Sequence, residues 1–112
     1  MSIQTDNTQT ADINKQYEEH YQKGQSYFRK DDMEKAFEHF SKAVNLKSDY
    51  ANAYTGLGVV YRRLGDFEKS RENLEKALLL NMKSPAAHNN LGNLYYEQGK
   101  LELALSEYQR AA

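Results

Sequence analysis

Glycine recurs in this chain at a fixed step: Gly24, Gly58 and Gly92 stand 34 residues apart. The same step links Tyr27, Tyr61 and Tyr95, then Glu34, Glu68 and Glu102, then Ala43, Ala77 and Ala111. Looser matches keep the phase: Ala36, Ser70 and Ala104; Phe40, Leu74 and Tyr108; Lys42, Lys76 and Arg110. Chance can place one such triplet, but not this many in register. Each period is therefore one structural unit, and units of this length bury their apolar faces by stacking on their neighbours.

Inside each period the pattern reads as two helices. In the second unit Tyr54, Leu57, Gly58 and Tyr61 fall at i, i+3, i+4 and i+7, one face of a helix. Gly65 stops that helix, since glycine accepts the left-handed conformation without a Cβ clash. Asp66 follows as the expected N-cap, and a second apolar stripe runs through Phe67, Ser70, Leu74, Ala77 and Leu78. The third unit repeats the plan with His88, Leu91, Gly92 and Tyr95, a stop at Gly99, then Leu101, Ala104, Leu105 and Tyr108. Ser84 followed by Pro85 marks its start. The first unit has His20, Gly24 and Tyr27, a turn at Asp31-Asp32, then Met33, Ala36, Phe37, Phe40, Ala43 and Val44. Asp31 with Glu34 has the spacing of a capping box.

This 34-residue helix-turn-helix unit, with its small residue, tyrosine, turn glycine, alanine, aromatic and alanine in that order, resembles the tetratricopeptide repeat. The resemblance covers Tyr17 to Ala112 and is closest over residues 85 to 112, with His88, Asn90-Leu91-Gly92-Asn93, Tyr95-Tyr96, Gly99, Ala104, Tyr108 and Ala111. It implies an all-α fold, an α-solenoid forming a right-handed superhelix of three repeats: residues 17–50, 51–84 and a truncated 85–112. Departures are Lys23 where Leu57 and Leu91 stand, Asp31 for the turn glycine, Ser70 for the small alanine, and Ser48 and Met82 for the closing proline. Residues 1–16 make a polar N-terminal tail and the start of the first helix. The tail is expected to be mobile to about residue 10, and Ile13 and Tyr17, four apart, mark the early helix start.

Composition narrows the class of function. Lys and Arg total 15 and Asp and Glu 16, a net charge of −1 that supplies no general attraction for polyanions, so neither nucleic acid nor an acidic membrane is the expected partner. With no cysteine there is no disulfide framework, thiol nucleophile or thiolate metal site. The longest apolar run, Ala77 to Leu80, is far short of the roughly 18 residues needed to span a bilayer. The opening residues have neither the basic nor the apolar region of a signal peptide, so a cytoplasmic location is expected.

Little in the sequence points to catalysis. His20 and His88 occupy the repeat position of Tyr54, a packing position, and are expected to be structural; His39, beside Glu38, reads as part of a solvated helix face. No second ligand at helical spacing accompanies His20 or His88, so no metal is expected. Gly56-Leu57-Gly58 lies mid-helix without a preceding strand and is no phosphate loop. No Ser-His-Asp arrangement stands out. The chain reads as a non-enzyme without cofactors.

The remaining chemistry lies on the face opposite the packing stripe of each first helix. It carries Tyr21, Gln22, Gln25 and Phe28 in the first unit, Asn52, Thr55, Val59, Arg62 and Arg63 in the second, and Asn89, Asn90, Asn93 and Tyr96 in the third. The resemblance implies that this face lines a concave groove receiving an extended or helical peptide. Amides both donate and accept, so they can pair with any peptide backbone. Aromatics give contact area at low entropy cost, and the two arginines offer a bidentate site for a carboxylate. Some family members clamp a chaperone's C-terminal carboxylate with Lys, Asn and Arg. The matching places here hold Tyr21, Gln25, Gly56, Ala86 and Asn90, none of which matches, whereas Asn90 and Asn93 resemble part of an asparagine ladder. The expected role is a protein-protein interaction module, an adaptor or assembly scaffold that binds a partner peptide. The alternatives are self-association into a homo-oligomer through the third repeat, where Leu105 and Tyr108 lack a capping helix, or a targeting fragment of a longer array.

Overall fold

A computed structural model describes the backbone of residues 2–112 and the side chains of residues 15–112. Six helices follow one another: α1 (Ser2–Arg29), α2 (Met33–Leu46), α3 (Ala51–Leu64), α4 (Phe67–Leu80), α5 (Pro85–Glu97) and α6 (Leu101–Ala111), with no strand among the described residues. The helix α1 runs from Ser2 through the segment read as a polar tail, whose side chains, with that of Ile13, lie outside those described.

The helix ends follow from local chemistry. Asp32, Asp66 and Ser84 cap α2, α4 and α5, their side-chain oxygens accepting from the backbone N–H of Lys35, Lys69 and Ala87 at 3.1, 3.1 and 3.2 Å. In the first turn the cap is thus Asp32, one residue beyond the expected Asp31. Asp31 has φ 63° and takes the left-handed place that Gly65 fills at 86° and Gly99 at 77°. A short polar side chain tolerates that conformation, which is why the turn survives without its glycine.

Consecutive helices form the hairpins α1·α2, α3·α4 and α5·α6, and each hairpin docks on the next through α2·α3 and α4·α5. The first helices also touch one another, α1 to α3 and α3 to α5, whereas α2 and α4 do not meet. One layer is close-set and the other splayed, so the array is a solenoid that curves with α1, α3 and α5 on its inner side. Alanines make the close approaches possible: Ala36, Ala43, Ala53, Ala77 and Ala87 are wholly buried. Two cores result. One joins Ala36 and Phe40 of α2 to Leu57 and Val60 of α3, with Tyr21, Tyr27 and Phe28 of α1 packed against it, and the other joins Leu74, Leu91 and Leu94 across α4 and α5. No described helix is long and apolar enough to cross a membrane.

Candidate functional site

The inner layer carries a hollow of about 250 Å³. Its walls are Tyr21, Gln25, Phe28 and Arg29 of α1, Thr55, Gly56 and Val59 of α3, and Ala86 and Asn90 of α5, and Phe40 of α2 forms its floor. Phe40 reaches this place because glycines make room on both sides. A Cβ on Gly24 or on Gly56 would stand 2.6 Å from the ring. Gly56 is therefore half-buried against Phe40 rather than open on the groove face, and it stays glycine although alanine would favour the helix by about 1 kcal/mol.

Aromatic packing sets the α1 wall. Tyr21 lies 5.8 Å from Phe40 and 5.4 Å, edge-on, from Tyr50, which in turn meets Tyr17 at 4.8 Å. Gln25 Nε2 donates to the Tyr21 hydroxyl at 3.0 Å, leaving the phenol's own hydrogen to donate. Burial pushes the Tyr21 phenol above its usual range, against the opposing pull of that hydrogen bond, so it stays neutral at any physiological pH. Across the hollow, Asn90 Nδ2 donates to the Ala86 carbonyl at 2.8 Å, which leaves its side-chain carbonyl as an acceptor.

Six of the residues expected from sequence converge here: Tyr21, Gln25, Phe28, Thr55, Val59 and Asn90. The others are placed differently. Arg62 pairs with Glu97 at 2.5 Å, a strap from α3 to α5, and Arg63 pairs with Asp31 at 2.9 Å while its guanidinium covers the Phe28 ring at 5.0 Å. Both arginines of the cationic centre offered by the sequence thus have a carboxylate partner within the chain, although the buried Nε of Arg62 has no hydrogen-bond partner. Asn93 Oδ1 accepts from the Tyr108 hydroxyl at 2.5 Å, joining α5 to α6. Gln22, Asn52, Asn89 and Tyr96 are exposed outside the hollow, Tyr96 at 64%. Phe40 was missed, because nothing in one helix's periodicity announces a side chain arriving from another. The five positions matched to a carboxylate clamp, Tyr21, Gln25, Gly56, Ala86 and Asn90, all line this same hollow, and none of them is charged.

The histidines need one correction. His39 is not on a solvated face: it is half-buried, its Nδ1 lies 3.0 Å from Nδ1 of His20, and its ring stacks on Tyr27 at 5.3 Å. The repeat explains the pairing. One period on, the equivalent places hold Tyr54 and Asn73, and two periods on they hold His88 and Glu107. Tyr54 donates to the Ser48 carbonyl at 2.9 Å, and His88 faces the equivalent Met82 carbonyl at 2.8 Å through Nε2. Glu107 is buried yet fully engaged, meeting His88 Nδ1 and Arg110, each at 2.7 Å. That carboxylate was also missed, although its step of 68 residues from His39 was there to be counted.

Comparisons with known proteins agree with this architecture. A family model described as tetratricopeptide repeat matches residues 17–83 and 49–112. No curated protein matches the chain. Among solved structures, that of MamA is 28% identical with a TM-score of 0.74, covering 86% of this chain and 56% of that one. The structure of Pseudomonas aeruginosa pilF is 25% identical with a TM-score of 0.84, covering 88% of this chain and 45% of that one. The chain thus spans about half the length of each. The first TPR of Spaghetti (RPAP3), bound to an HSP90 peptide of sequence SRMEEVD, shares the fold at 23% identity and a TM-score of 0.79, covering 87% of this chain and 77% of that one. Period, helix order and family match coincide over residues 17–112, and the chain belongs to the tetratricopeptide repeat family.

Proposed function

We propose that this protein-interaction module captures a peptide segment of a partner on the inner face of its first helices, seating one bulky apolar side chain of that segment above Phe40. The hollow carries the reading. At about 250 Å³ it falls below the roughly 300–1,000 Å³ usual for small-molecule sites and suits a single side chain. Tyr21, Phe28, Phe40 and Val59 give it an apolar lining, while the Tyr21 hydroxyl and the Asn90 carbonyl stand at its edge for a peptide backbone. The places matched to a carboxylate clamp, Tyr21, Gln25, Gly56, Ala86 and Asn90, are all uncharged, and the one cation of the lining, Arg29, is exposed to solvent, where its pull on a carboxylate is weak. The apolar lining therefore suits a neutral side chain better than an acidic terminus, in contrast to the structural neighbour bound to SRMEEVD.

The test is a titration of isotope-labelled protein with two probes: a pool of neutral peptides centred on Leu, Met or Phe, and the acidic peptide SRMEEVD. A contact of this size is expected near micromolar, about −8 kcal/mol. Amide shifts should gather at Tyr21, Thr55, Val59 and Asn90 with the neutral pool. Val59→Glu should weaken that binding about tenfold, roughly 1.4 kcal/mol. Shifts confined to α2, α4 and α6, or tighter binding of the acidic peptide, would overturn the proposal.

A further inference from the structure

The His20–His39 contact joins two imidazoles, a pair that neither of the other units repeats. A hydrogen bond between two Nδ1 atoms 3.0 Å apart needs one hydrogen between them, donated by one ring and accepted by the bare nitrogen of the other. The rings lie 5.2 Å apart at 23°, so their nitrogens face each other across the α1–α2 seam. In the third unit the same place sets His88 against a carboxylate, an acceptor with room for a proton. In the second unit it holds Tyr54 and Asn73, neither of which gains a proton in mild acid. Only the first hairpin therefore sets base against base.

The ionisable groups acting on the pair sit on α1 and α2. Lys42 and Lys23 oppose further positive charge, while Glu19 and Glu38 favour it, with Glu38 held 3.3 Å from Lys42. Tyr27, stacked on His39, carries Lys30 and Lys35 over its ring at 5.8 and 5.4 Å. Two lysines, Lys23 and Lys42, thus oppose charge on the pair directly, and two more stand over the neighbouring Tyr27 ring. The same two helices build the hollow: α1 supplies Tyr21, Gln25 and Phe28, and α2 supplies Phe40, the residue after His39.

We propose that the α1–α2 seam is a proton-sensitive latch: a first proton, taken on the outer Nε2 of the donor ring, keeps the shared hydrogen bond, but once acid has protonated both rings two positive N–H groups face each other, the first hairpin loosens, and the wall and floor of the hollow part. Burial and the flanking lysines hold both rings below the ordinary histidine value of 6.5, His39 also feeling His20. The sign follows. Below pH 6.5 the unfolded chain takes up protons that the folded seam refuses, so stability is complete above that pH and is lost as the pH falls through the folded values.

The latch is tested without any peptide, so its failure and that of the binding proposal are separable. Amide exchange, corrected for its intrinsic pH dependence, is compared at pH 7.5 and 5.0. Protection in α1 and α2, read at Gly24 and Phe40, should fall at least tenfold more than in α5 and α6. The double variant His20→Tyr/His39→Asn installs the second unit's pair and should abolish the difference. His39→Gln, which keeps a hydrogen-bonding group but removes the second base, serves if the double variant loses helix content at pH 7.5. Equal acid loss in both hairpins, an unchanged response in the variants, or independent titration of both rings at 6.5 would overturn the latch.

Discussion

Gly58 shows how tightly a single residue is constrained by its neighbours. A Cβ there would stand 2.6 Å from Leu74 Cγ, 2.8 Å from Leu74 Cδ2 and 3.2 Å from the Ser70 carbonyl. Leu74 is wholly buried, and a branching carbon cannot swing aside as the tip of a long chain can. The approach is fastened by the Ser70 hydroxyl, which donates to the Gly58 carbonyl at 2.6 Å. That bond accounts for serine at a place the repeat gives to alanine. Gly58→Ala gains about 1 kcal/mol of helix propensity, but overpacking of this kind costs typically 1–3 kcal/mol. We expect a net loss of about 1 kcal/mol and a Tm lower by about 4 °C. A midpoint in urea that stays put or rises would show that α3 and α4 can separate without penalty.

At the level of the helix, the first-helix and second-helix starts of the three units do not share their chemistry. Asp32, Asp66 and Lys100 stand at equivalent positions, and only the two aspartates cap their helices. Lys100 opens α6 without a side-chain bond and places a cation where the helix dipole favours an anion. It stacks over Tyr95 at 5.9 Å, an exposed contact of about 0.5–1 kcal/mol. An N-cap with its dipole contribution is typically about 1–2 kcal/mol, so Lys100→Asp should stabilise the chain by about 0.5–1 kcal/mol. Thermal melting checks this, and a lower Tm would mean that the lysine–tyrosine contact outweighs the cap. Elements of this kind were legible in the sequence because the period is written in small residues, turn residues and caps. Even the cap at Asp32 instead of Asp31 is a shift of one position in one turn. The site was legible only where it lay on a single helix face, as with Tyr21, Val59 and Asn90. Phe40, the Arg62–Glu97 strap and the His20–His39 contact join different helices, and the distance between helices is set by glycines and alanines whose partners no local pattern names.

For the molecule as a whole, the separation into two cores makes a claim about cooperativity. Phe40, Leu57 and Val60 close the first core, and Leu74, Leu91 and Leu94 the second, with the α3–α4 hairpin contributing to both. Coupling in a stacked array passes chiefly between neighbours. Damage in the second core should therefore spread outward from α4 and α5 and fade toward α1. Leu91 is the place to apply it: it is 4% exposed, packs with Leu74 and Leu94, and does not line the hollow to which α5 contributes Ala86 and Asn90. Leu91→Ala removes buried methyl groups and is expected to cost about 2–5 kcal/mol, a large share of the roughly 5–15 kcal/mol that holds a domain together. Amide exchange at neutral pH should show protection falling most in α5 and α6, less in α4, and least in α1 and α2, where the Phe40 floor retains its own packing. Loss of the same size in every helix would mean that the six helices open as one unit, because the α3–α4 hairpin then transmits the whole cost from one core to the other.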